Sequence, residues 1–106
     1  NLSMIKPLGY MDFIKLVKES RFVLTDSGGI QEEATVLKVP CLTMRENTER
    51  PVTISQGTNF LVGRDKREIL SCTQKILANK IKQGHIPKYW DGNTASRIVK
   101  IITQNL

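Results

Sequence analysis

The residues best suited to chemistry lie where an apolar run gives way to two glycines and then to a helical pattern. Residues 24–33 read LTDSGGIQEE. A strand that turns into a helix in this way leaves backbone N–H groups free at the positive end of the helix dipole, where a phosphate can bind. Gly28 and Gly29 would let the phosphate approach the backbone, and Ser27 would add a hydroxyl donor. Glu33, about one turn further along, would then reach a ribose diol.

An ordinary strand-to-helix turn explains the same stretch about as well. Short Ser-Gly-Gly sequences occur in many turns, and the chain has neither a G-x-G-x-x-G nor a Walker pattern. The stretch alone therefore leaves phosphate binding and a plain turn as open alternatives.

A second group of polar residues follows the next predicted strand, in residues 44–51. Arg45 and Arg50 each offer the forked set of donors that suits phosphate. The alternative is a surface cluster in which both pair with Glu46 and Glu49. Because ligands of open parallel sheets collect outside the carboxyl ends of the strands, we expect this loop and the glycine turn to share one edge of the sheet.

The elements that would position these loops alternate along the chain. The hydrophobic spacing predicts helices over residues 10–20, 30–37, 51–55, 65–81 and from about residue 94 onward, the last with Ala95, Ile98, Val99 and Ile102 facing inward. Short apolar runs predict strands over residues 22–25, 39–44 and 59–62, with residues 4–5 counted as a fourth. Nearly uniform apolar strands separated by helices are typical of α/β proteins with a parallel sheet and helices on both faces.

The number of strands suggests that the sequence starts inside a domain. A doubly wound sheet usually has five or six strands, and only four can be counted here. We therefore expect part of a longer protein, whose open sheet edge would favour self-association into a homo-oligomer.

The charges are unevenly distributed along the 106 residues. Sixteen Lys and Arg against ten Asp and Glu give a net charge of +6. Residues 1–63 hold seven of each sign, whereas residues 64–106 hold nine basic and three acidic residues. A basic half can contact nucleic acid, but these residues are scattered and have few aromatic neighbours, so solvated helix faces are the preferred interpretation and no nucleic-acid partner is expected.

Several other classes of site and location are disfavoured by the composition. One His and two isolated cysteines, Cys41 and Cys72, make a metal site improbable, and neither a metal nor a cofactor is expected. No apolar run approaches the ~18–20 residues of a membrane span, and residues 1–7 lack the features of a secretory signal. We therefore expect a cytoplasmic protein with no membrane partner.

Three stretches of the chain resemble a known enzyme family. They are TDSGGIQEEA at residues 25–34, RENTERP at residues 45–51 and GTN with LVG within residues 57–63. Together with WDG and the following Ala95, Arg97 and Ile98, they resemble the carboxyl-terminal half of the non-hydrolysing UDP-N-acetylglucosamine 2-epimerases. The resemblance implies a glycosyltransferase-B fold, in which two Rossmann-like domains face a cleft. Residues 1–106 would then be a truncated carboxyl-terminal, UDP-binding Rossmann-like domain without the amino-terminal catalytic half.

The resemblance also implies a role for individual residues. It places Phe13 beside the uracil, Ser27, Gly28 and Gly29 on the diphosphate, Glu33 on the ribose hydroxyls and Arg50 on a phosphate. The family interconverts UDP-N-acetylglucosamine and UDP-N-acetylmannosamine through elimination and re-addition of UDP, and the full-length protein would be a dimer. Its acid and base carboxylates belong to the amino-terminal half, so we expect no catalytic residue here and no epimerase activity from this chain alone. Val52 stands where some members carry Glu, and His85 matches no catalytic position.

Other functions fit parts of the same sequence. The turn and its glutamate also fit the nucleotide-sugar half of a glycosyltransferase or a hydrolysing epimerase. The basic half of the chain fits a stand-alone module that binds a nucleotide or a polyanion. A folded piece that binds nothing well is the third alternative.

Overall fold

The computed structural model describes residues 1–106 and contains five helices and three short strands. In chain order these are α1 (Tyr10–Lys18), β1 (Val23–Thr25), α2 (Gly28–Leu37), β2 (Cys41–Thr43), α3 (Pro51–Ser55), β3 (Asn59–Leu61), α4 (Lys66–Leu77) and α5 (Thr94–Gln104). None of the helices combines the length and the apolar character needed to cross a membrane. The alternation of helix and strand agrees with the sequence-based prediction of an α/β fold.

The three strands form one parallel sheet in the order β1-β2-β3. Val23 pairs with Cys41, and Cys41 pairs in turn with Asn59. Parallel neighbours need a crossover between them, which α2 and α3 provide. The central strand β2 is entirely buried, and this burial raises the pKa of the Cys41 thiol. Both cysteines are buried and free, as the sequence predicts.

Helices cover both faces of the sheet. Successive side chains of a strand point to opposite faces, so a strand that is buried throughout needs cover on each face. Leu42 points to one face and packs with Val62 and with two residues of α4, Cys72 and Ile76. The residues on either side of Leu42 face α2 instead. This second face is polar: its fully buried side chains include Gln31, Thr35, Thr43, Thr53 and Asn59. The predicted Rossmann-like arrangement is therefore confirmed, with an apolar layer on one side and a hydrogen-bonded layer on the other.

Two predicted helix boundaries and one predicted strand need correction. Helix α2 begins at Gly28 rather than at residue 30. The N–H groups of a first helical turn have no acceptor within the helix, so the two glycines can form that turn without such bonds. Helix α4 ends at Leu77 rather than at residue 81: Asn79 has a φ of 56°, and the Lys80 N–H donates to the Lys75 carbonyl at 2.8 Å. A left-handed residue followed by a backbone hydrogen bond that reaches back five residues is a common helix terminator. Residues 4–5 form no strand, since they pair with no other strand and are exposed.

Helix α5 forms where it was predicted but does not pack as predicted. It contains no buried residue, and Ile98, Val99 and Ile102 are each more than half exposed. The radius of gyration is 16.3 Å, against about 13 Å for a compact chain of this length. The spacing of its apolar residues is correct, but the prediction that they face inward is wrong, because no other element covers them.

Candidate functional site

The turn between β1 and α2 presents unpaired hydrogen-bond donors. Ser27 has extended dihedral angles (φ −80°, ψ 132°), and its hydroxyl makes no capping bond to the helix. Its backbone N–H donates to Thr25 Oγ1 at 3.0 Å, which fixes the turn. The first N–H groups of α2 have no acceptor within the helix. The Ser27 hydroxyl and these N–H groups are therefore available to an anion at the positive end of the helix.

The two glycines of this turn are not required by the fold itself. Neither has a positive φ. A Cβ added to Gly29 would meet nothing within 4 Å, and one added to Gly28 would meet only Glu49 Oε2 at 3.8 Å. Glycine inside a helix costs stability relative to alanine. Open space beside both residues is what a ligand needs to reach the backbone.

The loop after β2 reaches the same edge of the sheet. The Arg50 guanidinium donates through Nε to the Glu32 carboxylate, in the first turns of α2, and through Nη1 to the Glu49 carbonyl at 3.3 Å. Glu32 raises the pKa of Arg50. Thr48 also touches α2, since its hydroxyl donates to Gln31 Oε1 at 2.6 Å. The two loops therefore meet at the carboxyl edge of the sheet, as their order in the sequence suggests.

Arg45 makes the other ion pair of this loop. Its guanidinium donates to both oxygens of Glu49, at 2.9 and 3.2 Å, and lowers the pKa of that carboxyl group. The surface-cluster interpretation is thus correct for Arg45 and wrong for Arg50, which reaches α2. Glu32 and Glu49 each have an arginine partner, so they do not form a free carboxylate pair for proton transfer. The structure also has no group of three or more His, Cys, Asp or Glu residues that could hold a metal ion.

Glu33 faces a separate hollow beside this edge. The cavity has a volume of about 300 Å³ and is lined by Glu33 together with Tyr10, Ile14, Glu32, Val36, Leu37 and Trp90. Glu32 contributes to this cavity and also binds Arg50, so the hollow and the Arg50 loop are adjacent. Phe13 is half-buried on α1 but does not line the cavity. The structure thus brings Ser27, the glycines and Arg50 to one edge and sets Glu33 beside them, whereas Phe13 is not among the residues that line the cavity.

Sequence reasoning missed two features of this region. Tyr10 and Trp90 line the cavity with Glu33, although they are eighty residues apart in the chain. A buried set of Gln, Asn and Thr side chains joins the two loops from beneath. The available signal was the polar Thr43 and Asn59 inside otherwise apolar strands, a pattern that predicts internal hydrogen bonds.

Comparison with known proteins places this geometry in a family. The sequence model of the family described as UDP-N-acetylglucosamine 2-epimerase matches residues 1–103. The chain belongs to that family. The UDP-N-acetylglucosamine 2-epimerase of Methanocaldococcus jannaschii is 45% identical over 102 residues, and that of Escherichia coli K12 is 40% identical over 110 residues. These alignments cover 96% and 99% of this chain but only 27% and 29% of the two relatives.

Solved 2-epimerase structures share the fold. The Methanocaldococcus jannaschii UDP-GlcNAc 2-epimerase in complex with UDP-GlcNAc and UDP matches with a TM-score of 0.76 and 44% identity, over 94% of this chain and 27% of that one. The Neisseria meningitidis enzyme bound to UDP-GlcNAc matches with a TM-score of 0.72 and 32% identity, over 94% and 28%. The resemblance read from the sequence is confirmed, and with it the glycosyltransferase-B class of these epimerases.

Proposed function

We propose that this chain is the UDP-binding part of a UDP-N-acetylglucosamine 2-epimerase. The observation that carries the proposal is the open start of α2, where free N–H groups, two uncrowded glycines and a nearby guanidinium converge. The two solved 2-epimerases described above are complexes, one with UDP-GlcNAc and UDP and the other with UDP-GlcNAc. A diphosphate is the part of such a ligand that a helix start and an arginine bind best.

Each proposed site residue has a chemical role that its position supports. The Ser27 hydroxyl and the N–H groups of Gly28 and Gly29 donate to the diphosphate. Arg50 turns its free guanidinium N–H groups to a phosphate while Glu32 retains Nε. Glu33 lines the adjacent cavity and takes part in none of the three salt bridges, and its carboxylate accepts hydrogen bonds from the ribose hydroxyls. Phe13, which is half-buried on α1, lies beside the uracil.

The proposed reaction gives this half of the enzyme an electrostatic task. In the elimination, the bond between sugar C1 and UDP breaks as a proton leaves C2, which produces a glycal and free UDP. Re-addition of UDP then returns a proton to C2 on the opposite face. Negative charge grows on the departing diphosphate, and fixed N–H donors with a guanidinium stabilise it. The proton transfers need carboxylates that this site does not supply, so we expect the chain alone to form no UDP-ManNAc.

Calorimetric titration of UDP into the 106-residue chain tests the assignment. Arg50→Ala and Glu33→Gln should each weaken binding by roughly 1.5–3 kcal/mol, because each removes a charged hydrogen-bonding group. Arg67→Ala is the matched control: it removes one positive charge from an exposed side chain on α4 that makes no ion pair.

The outcomes separate this site from a general basic surface. The proposal is supported if UDP binding requires the uracil, persists in about 300 mM salt and falls only with the two site variants. Salt above about 0.1 M screens the attraction between exposed charges, so binding to a general basic surface would not persist. Affinity that collapses with salt and falls equally with Arg67→Ala identifies a polyanion surface instead. If UDP binds and neither site variant matters, the residue assignment is wrong.

A further inference from the structure

Gln31 is an unusual residue to find completely buried on a helix. Its side chain has no exposed surface, although a long polar side chain usually lies at the surface of a helix. Its Nε2 donates to the Ser27 carbonyl at 3.3 Å. Its Oε1 accepts from Thr48 Oγ1 at 2.6 Å and from Asn59 Nδ2 at 2.9 Å. One amide thus touches the glycine turn, the Arg50 loop and β3.

The surrounding groups determine which way this amide points. The Ser27 carbonyl can only accept, so Nε2 must face it and Oε1 must face the two donors. Asn59 uses its second N–H on Thr53 Oγ1 at 3.0 Å, and its carbonyl accepts from Thr43 Oγ1. Every side chain of the cluster therefore has partners. Polar side chains that hydrogen-bond to one another in a low-dielectric interior hold each other in one arrangement.

The network reaches Arg50 through its backbone on both sides. The Arg50 N–H donates to Thr48 Oγ1 at 2.9 Å, the same hydroxyl that donates to Gln31. The Arg50 carbonyl accepts from Thr53 Oγ1 at 2.7 Å. Gln31 is therefore one hydroxyl away from the Arg50 backbone and directly bonded to the residue that precedes the two glycines.

We propose that Gln31 is a positioning residue, which sets the Arg50 loop at a fixed distance from the glycine-bearing start of α2. The inference rests on the proposed function, because it matters only if both features grip one diphosphate. Donors from two loops bind the same group well only when their spacing is correct to a fraction of an ångström, roughly 0.5 Å. An apolar residue at this position would fill the space but leave the spacing undefined.

The test compares Gln31→Met, which keeps the length and removes the hydrogen bonds, with Ile76→Val. The control lowers stability from α4, on the other face of the sheet, and touches no member of the network. Both variants are first shown to be folded by circular dichroism at the temperature of titration. UDP and uridine are then titrated into each, because uridine lacks the phosphates.

We expect Gln31→Met to weaken UDP binding about tenfold, because the contact between Arg50 and the phosphate is no longer held in place, with uridine binding unchanged. Ile76→Val should change neither. In the Arg50→Ala background, Gln31→Met should weaken UDP binding much less than in the wild type, because the contact that it positions is gone. If Gln31→Met does not fold, Thr48→Val removes the single hydroxyl between Gln31 and Arg50 and should weaken UDP binding in the same selective way.

Three results would overturn the inference. These are unchanged UDP affinity in a folded Gln31→Met chain, an equal loss for uridine, or full additivity with Arg50→Ala. Failure of the wild-type chain to bind UDP at all would overturn the proposed function, and the inference with it. The wild-type titration therefore distinguishes the two failures.

Discussion

The glycines of this chain fall into two groups, which differ in the space around the residue. At Gly57 an added Cβ would lie 2.6 Å from the Thr53 carbonyl, and at Gly84 it would lie 2.7 Å from Thr58 Cγ2. Packing alone requires glycine at these two positions. Gly28 and Gly29 face open space at a helix start, so packing does not require glycine there.

Gly29→Ala should therefore stabilise the chain and damage the site. Alanine in a helix is more favourable than glycine by roughly 0.5–1 kcal/mol, and the added methyl group meets no atom. The same methyl group would hold a phosphate away from the backbone and should weaken UDP binding about tenfold. Urea denaturation and calorimetry measure the two effects.

Gly57→Ala provides the contrast for that pair of measurements. Its methyl group would overlap Thr35 and the Thr53 carbonyl, and overpacking of this kind costs about 1–3 kcal/mol. A Gly29→Ala chain that binds UDP as tightly as the wild type would contradict the assignment of the glycine turn to the diphosphate.

At the scale of elements, the start of α4 is the clearest case of a local signal. Asp65 lies before the helical stripe in the sequence, and in the structure its carboxylate accepts from the Arg67 N–H at 2.8 Å. Asp65→Ala should lower the free energy of unfolding by about 1 kcal/mol. Asp65→Asn keeps the acceptor and should retain most of the stability. Equal losses from both variants, measured by urea denaturation, would mean that charge rather than the cap matters here.

The contacts between elements were harder to foresee than the elements themselves. The two arginines of residues 44–50 were both candidates for the loop glutamates, and only Arg45 uses one. Arg50 pairs with Glu32, eighteen residues away in the chain, because parallel strands bring the ends of β1 and β2 to one edge. Spacing within a loop does not contain that information.

At the scale of the whole molecule, much apolar surface is uncovered. Strand β1 pairs only with β2, and Leu24 on it is 43% exposed. Helix α5 exposes Ile98, Val99, Ile101 and Ile102 along its length. Unpaired strand edges and contiguous apolar faces both favour association. This chain also spans only 27–29% of the relatives described above.

The 106-residue chain should therefore self-associate as its concentration rises, as measured by light scattering. Leu24→Lys places a charge on the open strand and should suppress association through the sheet edge. The double variant Ile98→Lys with Ile102→Lys should suppress association through α5. A monomer over the whole concentration range would contradict the prediction, and the variant that restores a monomer identifies the surface.

The sequence by itself determined the class of fold, the position of most helices and strands, and the family. These follow from local facts: hydrophobic period, cap residues, glycines at a turn and short motifs whose residues are adjacent in the chain. The tertiary structure decided which partner Arg50 takes, that Gln31 and Asn59 join the two loops from below, and that α5 remains uncovered. Each of these depends on distances between segments far apart in the chain, which only the packing of the parallel sheet establishes.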